Sequence, residues 1–281
     1  MVRDPYGSSF GGGFQDMSKY PRPKKRYGQN FLHDKRIINR IVNAANISPR
    51  DSVLEVGPGR GHLTDVLVSR GANVVAIETD RDLIDGPLRR FDNMKHVEII
   101  QADATEFPIG QIYTNPRSYK LVANLPFNVG SNILRSLICS ENRPSVAVVM
   151  LQKEVAGNVA AASGRMGLLS VIIQTYSKAK VVFSVPASAF TPTPKVSAAV
   201  LLLETYREPL IKVQEYREFF EFVAAGFSSP RKQIHNSFAI GLSVSMATSK
   251  TLLNDCDIDY SRRPGTLSVQ EWIDLFNYFK E

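Results

Sequence analysis

The chain of 281 residues contains only two cysteines, one tryptophan and four histidines, and it has no apolar run long enough to cross a membrane. Cys139 and Cys256 lie far apart, which excludes a disulfide-stapled mini-protein, and neither stands at a zinc-like spacing from another Cys or His. No metal site is expected, and both thiols read as ordinary buried ones. The first residues, Met1-Val2-Arg3-Asp4-Pro5, lack the apolar centre of a secretion signal. The expectation is a cytoplasmic, monomeric protein away from any membrane. With 18 Gly and 16 Pro the composition is neither collagen-like nor that of a wholly disordered chain.

What is present is a basic, otherwise ordinary globular composition, long enough for one large α/β domain with a small appendage. The net charge is +7, which suits an anionic partner. Residues 1–30 carry six basic residues against two acidic ones, so more than half of that excess sits in about a tenth of the chain. Residues 1–23 read as a flexible basic tail with Gly11-Gly12-Gly13 and little that could build a core. Lys24, Lys25 and Arg26 follow, and such a run is either a solvated face or a phosphate contact.

From residue 24 to about 205 the pattern alternates. Ile37, Ile38, Ile41 and Val42 form one helical face, ended by Asn46 and Ser48-Pro49. Short β-branched runs follow at Val53 to Val56, Val74 to Ile77, Val97 to Ile100, Lys120 to Ala123 and Val146 to Leu151, typical of strands buried on both faces. Helix-length segments lie between them, at His62 to Arg70, Asp82 to Phe91 and Val129 to Ser140, with Gly86-Pro87 set to kink or shorten the second. This predicts a mostly parallel sheet with helices on both sides. Helical stretches at Lys153 to Ala162 and Leu168 to Tyr176 precede two further strands, Val181 to Phe183 and Val196 to Leu203, which fit an antiparallel pair at the sheet edge. After residue 206 the strands stop, and Val213, Tyr216, Phe219, Phe220, Val223 and Phe227 recur at helical spacing. Residues 206–281 are expected to form a small all-helical carboxyl-terminal domain.

The first strand runs into Gly57-Pro58-Gly59-Arg60-Gly61, a turn that lets a ligand approach the backbone at the carboxyl edge of the sheet. Dinucleotides and S-adenosyl-L-methionine both use such a loop, and both use an acid after the next strand for ribose hydroxyls, here Glu78, 21 residues after Gly57. The dinucleotide pattern G-x-G-x-x-G needs its third glycine one residue later, where His62 stands. G-x-G-x-G after an acidic strand residue, Glu55, is the loop that S-adenosylmethionine uses, and a mere tight turn is the remaining reading. Asp103 follows the third strand, where it serves either the adenine amino group or a helix cap.

The fourth strand closes on Asn124-Leu125-Pro126-Phe127, 67 residues after Gly57. An aromatic amine is a poor nucleophile, because its lone pair is delocalised into the ring. Acceptors on its hydrogens turn that lone pair toward an electrophile, and Asn124 Oδ1 with the Leu125 carbonyl could supply them. Pro126 stiffens the loop and Phe127 offers a stacking face for an extruded base. Taken alone, the tetrapeptide could also be a turn.

Together these motifs resemble the ribosomal RNA adenine N6-dimethyltransferases, the family of the small-subunit enzyme that confers kasugamycin sensitivity. The resemblance runs from residue 24 to the end and includes Lys25-Arg26-Tyr27-Gly28-Gln29-Asn30-Phe31-Leu32, Phe190-Thr191-Pro192-Thr193-Pro194-Lys195-Val196 and Arg231-Lys232-Gln233-Ile234-His235-Asn236-Ser237. It implies a Rossmann-like S-adenosylmethionine-dependent methyltransferase domain, with the cofactor held by Asn30, Leu32, Gly57, Glu78, Asp103 and Asn124. It also implies catalysis by Asn124 to Phe127, with Phe190 as the second wall of an adenine slot; without the resemblance Phe190 reads as core. Lys24, Lys25, Arg26, Arg231 and Lys232 are the implied RNA contacts, so loss of residues 1–26 is expected to weaken RNA binding and leave cofactor affinity unchanged.

The implied reaction is dimethylation of two adjacent adenosines near the 3′ end of 16S RNA in the assembling 30S subunit. Two alternatives stand beside it, a large-subunit methyltransferase of the macrolide-resistance type and a non-catalytic RNA-binding assembly or transcription factor. Ser261-Arg262-Arg263-Pro264-Gly265-Thr266-Leu267-Ser268 looks more like the small-subunit branch. The sequence departs from the family at Phe127, where many members have Tyr, at Asn128 to Asn132, where Ser-Thr-Pro is common, and at Gly86-Pro87.

Overall fold

A computed structural model describes residues 21–280. The expected tail at residues 1–23 lies outside the described residues except for its last three. Strand β1 (Phe31–Leu32) leads to helix α1 (Lys35–Ala44), whose buried face is Ile37, Ile38, Ile41 and Val42. Asp34 caps α1 by accepting from the Arg36 and Ile37 amides, which contributes about 1 kcal/mol. The alternating part follows as β2 (Ser52–Val56), α2 (His62–Ser69), β3 (Asn73–Glu78), α3 (Arg81–Ile84), β4 (Val97–Gln101), β5 (Lys120–Asn124), α4 (Gly130–Ile138) and β6 (Val146–Gln152).

Then come α5 (Lys153–Val159), α6 (Leu168–Gln174), β7 (Ser177–Val185), β8 (Phe190–Thr191) and β9 (Ala198–Thr205). The chain ends in α7 (Tyr216–Gly226), α8 (Ile234–Gly241), α9 (Met246–Asp255) and α10 (Val269–Lys280).

Among the described residues the main sheet has seven strands in the order β4-β3-β2-β5-β6-β9-β7. The first five are parallel, while β9 runs antiparallel to both β6 and β7. Strand order reverses between β2 and β5, which are hydrogen-bonded neighbours. At such a switch point the loops leaving the two strands diverge and open a crevice outside their carboxyl ends. One face of the sheet packs on α1 and α2, through Val53, Val74 and Val122. The other carries Leu54, Val56 and Leu121 in a cluster that runs without a break through α4 and α6 to Phe219, Phe238 and Trp272 of the last helices. The architecture therefore changes near residue 205 while the core continues across that point.

Two local expectations are corrected, on β4 and on Cys256, and one holds. The helix expected over Asp82 to Phe91 is broken at Gly86-Pro87 into α3 and a 3-10 turn at Pro87–Phe91. Pro87 has no amide hydrogen to continue the helix, and Gly86 packs so closely that a Cβ would stand 2.7 Å from the Asp82 carbonyl. Strand β4 is only partly covered, since it ends the sheet and has a neighbour on one side alone. Cys139 is buried, but Cys256 is only half-buried at the end of α9.

Candidate active site

At the switch point the loops after β2, β3, β4 and β5 surround a cavity of about 300 Å³. Gly57, with φ of +69°, turns the chain out of β2 in a conformation that favours glycine. Its amide donates to the Ile77 carbonyl at 2.9 Å and ties the turn to β3. Gly59 donates its amide to Glu78 Oε2 at 3.1 Å. The Thr79 and Asp80 amides both donate to Glu78 Oε1 at 2.9 Å. Burial pushes the Glu78 carboxyl above its ordinary value, although the three amides pull the other way. A carboxylate has about four lone-pair positions, so one on Oε2 remains for a further donor.

Across the cavity, Asn124 Nδ2 donates to the Asn30 carbonyl at 3.1 Å, and Asn30 Nδ2 donates to the Gly28 carbonyl at the same distance. With its amino group donating to Asn30, Asn124 keeps Oδ1 as an acceptor that has no partner among the described residues. No hydrogen bond among the described residues reaches the Leu125 carbonyl, while the Leu125 amide donates to Met150 on β6. Pro126 accepts from the Val129 and Gly130 amides, which starts α4. Gly130 is needed at that start, because a Cβ there would meet Leu151 and Leu125 at 2.9 and 3.0 Å. Asp103 lines the cavity with its Oδ1 bonded to the Thr105 amide and hydroxyl at 2.8 and 2.7 Å, a local cap that leaves Oδ2 open.

Asn30, Gly57, Glu78, Asp103, Asn124, Leu125, Pro126 and Phe127 thus meet at one cavity, and Leu32 and Phe190 do not line it. They face each other in the β1–β8 ribbon, where Leu32 pairs with Phe190. Leu32 is buried, and its carbonyl lies 3.0 Å from His62 Nδ1. Phe190 is 1% exposed and meets Phe127 edge-on, with centroids 6.2 Å apart and planes at 66°. Parallel walls around an inserted base would stand about 7 Å apart, since stacked rings lie roughly 3.5 Å from each neighbour. In this structure the two rings do not form parallel walls, and Phe190 is buried in the core against Phe127.

The ammonium of Lys24 is paired with Asp80 and Asp82 at 2.6 and 2.7 Å, whereas Lys25 and Arg26 are exposed. Arg231 and Lys232 are exposed on the turn between α7 and α8, outside the cavity lining. The sequence reading missed Gln29 and Asp80, which carry a network beside Glu78; the available signal was an acid two residues beyond the ribose-binding candidate.

A family model for ribosomal RNA adenine dimethylases matches residues 21–281. The chain belongs to that family. It is 38% identical over 251 residues to ribosomal RNA small subunit methyltransferase A of Dehalococcoides mccartyi strain CBDB1, covering 89% of this chain and 86% of that one. It is 39% identical over 253 residues to the protein of the same name from Syntrophotalea carbinolica, covering 89% and 94%. Among solved structures, a dimethyladenosine transferase from Plasmodium falciparum superposes with a TM-score of 0.75 at 23% identity, covering 89% of this chain and 97% of that one. The 23S rRNA methyltransferase ErmE superposes with a TM-score of 0.67 at 24% identity, covering 90% and 100%. At these identities the structures establish the shared fold.

The enzyme is an S-adenosylmethionine-dependent ribosomal RNA adenine dimethyltransferase. The residues present fit that cofactor: a buried carboxylate with an open lone pair suits a ribose hydroxyl, and the turn at Gly57 and Gly59 leaves backbone exposed to the cavity without a side chain in the way.

Proposed function

We propose that the enzyme transfers methyl groups to N6 of two adjacent adenosines near the 3′ end of small-subunit ribosomal RNA, in the assembling 30S particle in the cytoplasm. Support for the small-subunit branch comes from two near-full-length relatives at 38 and 39% identity, both named for that subunit. The likeness to ErmE is one of fold. No helix among the described residues is long and apolar enough to cross a membrane.

The observation that carries the chemistry is the committed amide of Asn124. Bound S-adenosylmethionine supplies a methyl group already activated by its sulfonium. Asn124 Oδ1 and the Leu125 carbonyl accept the two amine hydrogens and so turn the nitrogen lone pair out of the ring plane, toward the methyl group. Transfer would break the sulfonium S–CH3 bond as the N–CH3 bond forms, leaving S-adenosylhomocysteine, and the same two oxygens would stabilise the positive charge on nitrogen until its proton passes to water. The contribution is positioning and fixed dipoles more than acid–base work. Phe127 holds the base by stacking, Glu78 takes a ribose hydroxyl of the cofactor, and Asp103 Oδ2 takes its adenine amino group. Leu32 acts through the ribbon that fixes Asn30. The exposed Lys25, Arg26, Arg231 and Lys232 meet RNA phosphates.

Incubation with undermethylated small subunits and labelled methyl donor, followed by mapping of the label, tests the assignment. Label on two adjacent adenosines near the 3′ end supports it. Label taken up only when large-subunit RNA is offered in place of small subunits would transfer the enzyme to the other branch.

A further inference from the structure

The segment before β1 crosses the carboxyl edge of the sheet and is fastened at both margins of the cavity. On the β5 side, the Asn30 carbonyl accepts from Asn124, and Gly28 lies so close to Asn128 that a Cβ would stand 2.4 Å from Asn128 Oδ1. On the β3 side, Lys24 Nζ donates to Asp80 Oδ1 at 2.6 Å and Gln29 Nε2 donates to Asp80 Oδ2 at 2.8 Å. The segment also closes on itself, because the Lys24 amide donates to Gln29 Oε1 at 2.7 Å. Burial alone would raise the Asp80 carboxyl, yet Lys24 and Gln29 hold it below the usual carboxylate range. The side chain of Asp80 is 2% exposed, and its backbone amide is one of the two that fix Glu78 Oε1. Arg26 to Phe31 form one wall of the cavity.

We propose that residues Lys24 to Asn30 form a strap across the cofactor cavity, and that Lys24 and Gln29 are positioning residues that set Glu78 through Asp80. The strap couples groups from two distant parts of the chain, Asp80 with the Glu78 carboxylate at one margin and Asn124 at the other. A cation that the family resemblance assigned to RNA thereby belongs to the cofactor side of the site. This inference rests on the reading that Glu78 contacts the cofactor.

The test is calorimetric titration of S-adenosylmethionine into the full chain and its Lys24→Met, Lys24→Arg, Asp80→Asn and Glu78→Ala variants, with hydrogen exchange followed at residues 27–30. Lys24→Met is expected to weaken binding about tenfold, within the usual range of coupling between linked sites. It should also speed exchange in the strap, and Lys24→Arg should restore both. The double variant Lys24→Met/Asp80→Asn should bind no worse than the weaker single variant, since both break one unit. Unchanged affinity in Lys24→Met alongside a loss in Glu78→Ala overturns the strap and leaves the cofactor reading standing. Unchanged affinity in both overturns the two together. Unchanged cofactor affinity with a shallower salt dependence of RNA binding in Lys24→Met returns Lys24 to the RNA.

Discussion

Asn124 and Asn30 are joined across 3.1 Å by a side-chain amide that donates to a backbone carbonyl, although 94 residues separate them in the chain. This bond orients the amide at the end of β5 and, among the described residues, leaves its oxygen as an acceptor at the cavity. Replacement by alanine removes the acceptor, and replacement by aspartate removes the donor that fixes it. Both Asn124→Ala and Asn124→Asp should lower turnover at least about a hundredfold, in line with the cost of misplacing reacting groups. Single-turnover methyl transfer measures the loss, with thermal unfolding to show an intact fold. Normal methylation by Asn124→Ala would remove the lone-pair argument.

Phe127 and Phe190 should separate cleanly by readout. Phe127 is half-buried at the cavity, so Phe127→Ala should cost about 1–3 kcal/mol of stacking on the base and little stability. Phe127→Tyr keeps the face and should be tolerated. Phe190 is buried in the core on the α1 and α2 side of the sheet, so Phe190→Ala should cost about 3–5 kcal/mol of stability. Denaturant unfolding of the two variants, beside RNA affinity, checks the division.

Glu55 gives a pH signature. It is fully buried on β2 and accepts from the Thr64 hydroxyl at 2.7 Å, and burial pushes its carboxyl up to about 8. An acid whose value is raised on folding binds its proton more tightly in the native state. Stability is therefore greatest at low pH as far as this group is concerned, and it falls as pH rises from about 4.5 to about 8. The slope for one group is at most about 1.4 kcal/mol per pH unit. Glu55→Gln, which is always neutral, should flatten that stretch of the stability curve. A denaturation series from pH 5 to 8.5 compares them, and identical slopes would show that Glu55 is ionised in the native state.

The last helices carry their own reporter. Gly226 closes α7 directly against the only tryptophan, and a Cβ there would lie 2.4 Å from the Trp272 ring. Gly226→Ala should destabilise the protein by about 1–3 kcal/mol through overpacking, with a shift in tryptophan emission. Because no residue of α7 to α10 lines the cofactor cavity, donor affinity should hold in the folded fraction.

RNA affinity should depend on the exposed cations. Lys25→Gln and Arg26→Gln should each flatten the log–log salt dependence of RNA binding by about 0.7 to 0.9 for a lost phosphate contact. The same measurement on Arg231→Gln and Lys232→Gln asks whether the turn between α7 and α8 shares the RNA. A slope that none of the four variants changes would move the interface elsewhere.

Much of the site was legible because it is written in short-range patterns. The glycine spacing after β2, the acid closing β3 and the tetrapeptide closing β5 each lie in a few consecutive residues, and parallel strands bring their carboxyl ends to one edge. The same holds for the buried stripe of α1 and for the break that Gly86-Pro87 imposes, since helical period and a missing amide are local properties. Partners that meet across the fold were not legible. A basic run at residues 24–26 looks uniform in sequence, yet tertiary structure turns Lys24 onto a carboxylate 56 residues away and leaves Lys25 and Arg26 exposed, with Arg26 at the wall of the cavity. The burial of Phe190 was likewise decided by the β1–β8 ribbon, which fixes where its ring can go. Sequence determines which groups a segment presents and at what period; which charge is neutralised and which ring is covered depends on surfaces brought together only when the sheet and its loops have closed.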